Sequence, residues 1–193
     1  MTDEIIIAGF GGQGIMLMGQ ILANAVMKEG KEVTFFPSYG PEMRGGTANC
    51  TVVISDEEIA SPVVSNPSIV IALNAPSYEM FKKVLRKNGL LFANASLIEI
   101  SKLSSNKNEF TIPATEIAQN LGNIQTTNIV MLGFFVKKTQ IVNDKTIEKQ
   151  IQTTFKKKGD AIIDLNLKAF KEGEKYFVNK NSFTTTTQRT KRL

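Results

Sequence analysis

Ile5-Ile6-Ile7-Ala8-Gly9-Phe10-Gly11-Gly12-Gln13-Gly14 is the stretch on which the fold turns. Four apolar residues running into a glycine predict a short, fully buried strand. The glycines at 9, 11 and 14 then give a G-x-G-x-x-G spacing between that strand and a helix. From Ile15 to about Lys28, apolar residues at 15, 18, 22, 25 and 26 recur at helical spacing, and Gly30 stops the helix. Glu32-Val33-Thr34-Phe35-Phe36 follows as a second strand ended by Pro37. This β–α–β unit predicts a parallel pair of strands with the helix as a right-handed crossover.

Outward from that unit, Ser38 to Gly46 is a turn-rich loop, and Thr47–Ser55 reads as a third strand. The loop is short for a helical crossover, so the pattern leaves open whether this strand runs antiparallel. Ile69–Leu73, a helix over Pro76–Lys87 and Gly89–Ala93 repeat the β–α–β pattern, and Phe110–Pro113 is a short sixth strand. Ala114–Leu121, Asn128–Lys138, Asp144–Lys156 and Asp160–Tyr176 all carry helical signals; in the last, Ile163, Leu167 and Phe170 share one face. The expected architecture is α/β: a Rossmann-like, open, mostly parallel sheet flanked by helices, with a C-terminal helical layer. One domain over residues 1–177 is expected, followed by a basic, Thr-rich tail at 178–193 without apolar periodicity, read as disordered.

Composition excludes several chemistries. The 193 residues include no His and one Cys. A Ser–His–Asp or Cys–His triad is therefore impossible within the chain, as are an internal disulfide, a four-cysteine zinc site and a cluster held by four thiolates. The net charge of +5 hints at nucleic acid, but Lys180, Arg189, Lys191 and Arg192 carry four of those charges in the tail. Residues 1–177 hold 19 basic and 18 acidic side chains, with no basic stripe interleaved with aromatics, so no nucleic-acid partner is expected. The longest apolar run of the second half, Ile129–Val136, is eight residues, against about 20 for a membrane span. With no secretory pattern after Met1, a cytoplasmic address and no membrane partner are expected.

Two loops concentrate the candidate binding residues. Gly9, Gly11, Gly12, Gln13 and Gly14 let backbone N–H groups approach an anion at the positive end of a helix. The same spacing also serves a tight strand–helix turn with no ligand. A dinucleotide fold would place an acid at the end of the second strand to hold the ribose; Phe35-Phe36-Pro37-Ser38 has none, which weakens an NAD reading. The second loop follows that strand and is expected at the same carboxyl edge. In it Tyr39, Gly40, Arg44, Gly45 and Gly46 combine an aromatic ring, a fixed cation and exposed backbone donors. An Arg44–Glu42 surface pair is the plainer alternative. Asn74, just after the fourth strand, either lines the site or opens the Pro76 turn. Cys50 reads as a buried small apolar residue, and Lys156-Lys157-Lys158 as a solvated helix end.

Together, Gly9-Phe10-Gly11-Gly12-Gln13-Gly14 and Ser38-Tyr39-Gly40-Pro41-Glu42-Met43-Arg44-Gly45-Gly46-Thr47 resemble the gamma subunit of 2-oxoacid:ferredoxin oxidoreductases. Ile59-Ala60-Ser61-Pro62, Ile71-Ala72-Leu73-Asn74, Ile112-Pro113-Ala114-Thr115 and Leu165-Asn166-Leu167-Lys168-Ala169-Phe170 match the same pattern, so the resemblance spans about residues 4 to 173. It implies a non-autonomous part of an enzyme that decarboxylates a 2-oxoacid oxidatively with coenzyme A, giving acyl-CoA, CO2 and reduced ferredoxin. It also implies that thiamine diphosphate, Mg and [4Fe–4S] clusters sit in alpha, beta and, where present, delta partner subunits, with no cofactor held by this chain alone. The two glycine loops, with Arg44 as charge partner, then suit the pyrophosphate of coenzyme A. The wording of Tyr39–Gly46 resembles the 2-oxoglutarate and branched-chain 2-oxoacid enzymes more than the pyruvate ones, with 2-oxoglutarate preferred. A stand-alone nucleotide-binding module and a purely structural scaffold are the alternatives of other classes.

Overall fold

The computed structural model describes residues 2–38, 47–99 and 107–189. Its elements in chain order are β1 (Thr2–Phe10), α1 (Ile15–Lys28), β2 (Glu32–Ser38), β3 (Thr47–Ser55), β4 (Ile69–Ala72), α2 (Ala75–Lys82), β5 (Leu90–Asn94), β6 (Glu109–Ile112), α3 (Ala114–Asn120), α4 (Thr127–Thr139), α5 (Asp144–Phe155) and α6 (Asp160–Arg189). The six strands form one sheet in the order β2-β3-β1-β4-β5-β6. Every neighbouring pair on the β4–β5–β6 side of β1 is parallel. The expected mostly parallel α/β sheet with a C-terminal helical layer is what forms.

One detail of the first β–α–β unit differs. β1 and β2 do point the same way, but β3 lies between them and is antiparallel to both. The β2–β3 connection is too short to cross the sheet, so β3 folds back as a hairpin and takes the position beside β1. There it pairs along its whole length, from Thr2↔Ser55 to Phe10↔Thr47. This leaves β2 at the edge, which is why the strand runs through Pro37 instead of ending there. Pro lacks an N–H, and an edge strand can spare that donor on its outer side.

Alternate residues of the strands serve two different layers. Ile5, Ile7, Ile69, Ile71 and Phe92 pack under α1, α4 and α6, whereas Ile6, Ala8, Val70, Ala72 and Ala93 face α2 through the buried Tyr78. β4, covered on both faces, is Ile-Val-Ile-Ala and wholly buried. The helical layer is tight because α4 and α6 touch through glycines. A Cβ on Gly133 would lie 2.1 Å from the Phe170 carbonyl oxygen, and one on Gly173 would lie 2.0 Å from that of Val130. Beyond Phe177, where the apolar pattern ends, the helical backbone of α6 continues to Arg189.

α1 and α2 therefore cover opposite faces on leaving β1 and β4, which are neighbours. The carboxyl ends of two such strands open a crevice, the usual ligand position in an open α/β sheet.

Candidate functional site

The glycine turn after β1 lies in this crevice. Gly11 and Gly12 are exposed, and the Gln13 N–H donates to the Phe10 carbonyl at 3.1 Å to close the turn. Gly14 then begins α1 at φ 73°, a left-handed conformation that favours glycine. No side chain caps α1 and no acid lies in its first turn, so the positive end of its dipole is uncompensated there.

Two buried carboxamides hold this turn from either side. Gln13 Oε1 accepts from the Phe10 N–H at 2.7 Å and from Asn74 Nδ2 at 3.2 Å. Asn74 is itself the cap of α2, its Oδ1 accepting from the Ser77 N–H at 2.9 Å. Both ends of the Asn74 carboxamide are thus engaged within the protein, and only 1% of the residue is exposed. On the other side Asn128, equally buried, donates Nδ2 to the Gly14 carbonyl at 3.0 Å and accepts from the Ile129 N–H. Asn128 carries no signal in the local pattern beyond opening α4.

Gly9 is closely packed: a Cβ there would meet Gln13 Oε1 and Ile15 Cδ1 within 2.7 Å. Its role is to let β1 turn under its own loop. Tyr39, Gly40, Arg44, Gly45 and Gly46 lie outside the described residues. The two ends of their loop are described, and the strand register fixes its edge. Ser38 pairs with Asn49, and Thr47 pairs with Phe10, the residue that leads into the glycine turn.

Between the glycine turn and the helical layer is a cavity of about 320 Å3. Gly12 and Gly14 form one wall, the segment Asn123–Asn128 another, and Phe155, Lys158, Ile162 and Asn166 complete it. Among the described residues, Lys158, which the sequence placed in a solvated helix end, is the one ionisable residue lining the cavity. Asn166 falls within the Leu165–Phe170 motif, which the sequence offered as part of the family resemblance and not as part of a site.

The chain's cysteine offers no reactive thiolate. Cys50 is buried in β3, its Sγ donates to the Ile15 carbonyl, and desolvation pushes its thiol up to about 12. Among the described residues no group of three or more His, Cys, Asp or Glu is placed to hold a metal ion. No described helix is long and apolar enough to cross a membrane.

A family model described as pyruvate ferredoxin/flavodoxin oxidoreductase matches residues 4–176. Ketoisovalerate oxidoreductase subunit VorA of Methanothermobacter marburgensis is 39% identical over 171 residues, covering 88% of this chain and 35% of the relative. The 2-oxoglutarate synthase subunit KorC of Methanocaldococcus jannaschii is 37% identical over 176 residues, covering 90% of this chain and 92% of the relative. The chain thus spans about a third of the length of the first curated relatives it matches and nearly all of others. Among solved structures, the gamma subunit of a keto/oxoacid ferredoxin oxidoreductase from Geobacter sulfurreducens superposes with a TM-score of 0.79 at 29% identity, covering 93% of this chain and 98% of that one.

Proposed function

Because the chain belongs to the pyruvate ferredoxin/flavodoxin oxidoreductase family, we propose that it acts as the gamma subunit of a multisubunit 2-oxoacid:ferredoxin oxidoreductase in the cytoplasm. The assembled enzyme oxidises and decarboxylates a 2-oxoacid, passes the electrons to ferredoxin and transfers the acyl group to coenzyme A. Residues 1–177 form the domain that contributes to this, and 178–193 lie outside it.

A [4Fe–4S] cluster does not fit this chain, because its one cysteine, buried as a thiol, cannot supply the cluster's thiolates. Thiamine diphosphate and Mg are assigned with the clusters to partner subunits on the family resemblance. Those groups belong to alpha, beta and, where present, delta partners, and this chain's share is assembly and the coenzyme A side of the active site. The observation that supports this share is the uncapped start of α1 behind the Gly11–Gly14 turn, opening on a cavity that no carboxylate lines among the described residues. Such a turn accepts the pyrophosphate of coenzyme A. Arg44, on a loop that leaves and rejoins the sheet beside it, supplies the balancing charge.

The Tyr39–Gly46 wording and the end-to-end match to a 2-oxoglutarate synthase subunit favour 2-oxoglutarate as the substrate. A panel of 2-oxoacids assayed on the purified complex tests that choice. The coenzyme A role is tested by Arg44→Ala in the assembled complex. The KM for coenzyme A is expected to rise about tenfold, the scale of one lost charge-assisted contact. An unchanged KM, with assembly impaired, would favour a purely structural scaffold.

A further inference from the structure

The edge of the sheet opposite the glycine turn separates charge, although the domain as a whole is nearly neutral. Every strand except β3 begins at this amino edge, and the antiparallel β3 ends there, so the strand order sets their end residues side by side. On the β2–β3 side lie Glu32 and the run Asp56-Glu57-Glu58 that leaves β3, all four exposed. Lys31 lies 3.7 Å from Asp56, while Glu57 and Glu58 form no ion pair among the described residues. On the β5–β6 side, a groove of about 350 Å3 is lined by Lys82, Arg86, Lys87 and Lys107, with Glu109 as the one acid among its described residues. Glu109 is already engaged: its side chain is 3% exposed, accepts from the Tyr78 hydroxyl at 2.8 Å and lies 3.7 Å from Lys82. Arg86 is tied to Glu4 and to the Asn66 carbonyl. Lys87 and Lys107 have no ion pair among the described residues. The backbone of the groove is fixed, since Asn108 Nδ2 donates to the Asn88 carbonyl at 3.0 Å and a Cβ on Gly89 would lie 2.8 Å from the Ser68 carbonyl oxygen.

Between the two ends, the chain runs from β3 to β4 past the amino end of β1, where Ser68 Oγ bonds the Glu4 backbone. Near the middle of this segment Val63 is 67% exposed, more than any other large apolar side chain among the described residues. An edge with acids at one end, cations at the other and an exposed apolar side chain between them is complementary to itself. Turned about a two-fold axis near its centre, it sets the acidic end of each copy against the basic end of the other, twice in one contact. An apolar centre with a charged rim is also the usual anatomy of a specific interface. The rim charges select and orient the partner more than they bind it, so the pairing depends on both ends being answered together. An unrelated acidic protein would answer the groove and leave Glu57 and Glu58 facing like charge.

We propose that the amino edge is the surface through which two copies of this chain associate, with Glu57 and Glu58 of one against Lys87 and Lys107 of the other. The contact leaves both glycine turns free on the opposite edge. It does not depend on the coenzyme A role, and a complex that contains one copy of the chain is doubled through it.

Sedimentation velocity of the purified full chain is the test. The wild type is expected to run at twice the mass of one chain at about 0.05 M salt and to dissociate at about 0.5 M, where screening shortens the reach of charge to a few ångströms. Lys87→Glu combined with Lys107→Glu is expected to give single chains at the lower salt, because like charges then face each other. Glu57→Lys combined with Glu58→Lys is expected to do the same. An equimolar mixture of the two double variants is expected to restore the paired species, since each reversed end meets its opposite, and that recovery shows both variants to be folded. A wild type that stays a single chain at the lower salt, or a mixture that stays unpaired, overturns the proposal. So does a lysine reversal that breaks assembly with the partner subunits while the glutamate reversal leaves it intact, because that pattern marks the groove as a site for another acidic protein.

Discussion

Gly14 joins a strand, a turn and a helix at φ 73°, with its carbonyl held by Asn128. A Cβ there would come within 2.4 Å of Asn128 Nδ2. Gly14→Ala is expected to cost about 2–4 kcal/mol, from left-handed strain of about 1–2 kcal/mol and the displaced carboxamide. Urea unfolding of the purified chain measures this, and an unshifted midpoint would mean that the turn is looser than described. Asn94 is a second such residue. Its Nδ2 donates to Thr115 Oγ1 at 2.8 Å and to the Leu73 carbonyl, while its Oδ1 accepts from the Ala114 and Ser96 N–H groups. Buried completely, it ties the carboxyl ends of β4 and β5 to the start of α3. Asn94→Leu should cost about 2–4 kcal/mol, since it strands several buried polar groups at once. At this scale the sequence was legible where a residue's own spacing carries the message, as with the glycines at 9, 11 and 14 that mark the passage from β1 to α1. It was silent on Asn128, whose partner lies more than a hundred positions away, as a pair of that kind leaves no local pattern.

Between elements, the α4–α6 crossing depends on two glycines that have no turn to make. Gly133→Ala would push a methyl group against the Phe170 backbone, which cannot rotate away, and should cost about 3 kcal/mol or more. Thermal unfolding checks this; a variant as stable as the wild type would show that the helices can separate cheaply. The same helices meet α5 at a charged cluster. Lys137 lies 3.1 Å from Asp144 and 3.7 Å from Glu174, so the two carboxyl groups share its ammonium, and Lys171 lies 3.1 Å from Glu174. Burial, reinforced by Asp144, raises Glu174 above its ordinary 4.5. For Asp144, burial alone acts upward, but Glu174 and Lys137 outweigh it and hold it below 3.8. The native Glu174 keeps its proton to higher pH than the unfolded chain does. Its contribution is therefore full below 4.5 and is lost as pH rises through the native value. Asp144 has the opposite sign, contributing above 3.8 and losing that contribution as pH falls through its lowered value. Glu174→Gln stays neutral throughout, so its melting temperature relative to wild type should climb as pH is raised above 4.5. A pH-independent difference between the two proteins would contradict this arrangement. The starts of the helices were readable, and most bury an apolar stripe; α2, expected to reach Lys87, ends at Lys82 and buries only Ser77 and Tyr78, and α6, expected to end at Tyr176, continues to Arg189. The place of β3 was not, because direction and neighbour are settled by a short hairpin competing for the slot beside β1.

Across the whole molecule, a nearly neutral domain brings its glycine turn and a cavity together beside the carboxyl end of β1. The fold class and the helical layer could be read from periodicity alone. The cavity could not, since its walls come from the glycine turn, the start of α4 and the α5–α6 junction, which meet only in three dimensions. The relatives' names differ in their 2-oxoacid, although the chain is 39% identical to one and 37% to the other over most of its length. The central claim is thus that this chain serves coenzyme A within a larger enzyme. The most direct test is ferredoxin reduction by the complex that co-purifies with the tagged chain, given a 2-oxoacid with and without coenzyme A. Reduction that requires coenzyme A and yields the acyl-CoA is the result expected. A tagged chain that purifies alone and supports no coenzyme A-dependent reduction would contradict it.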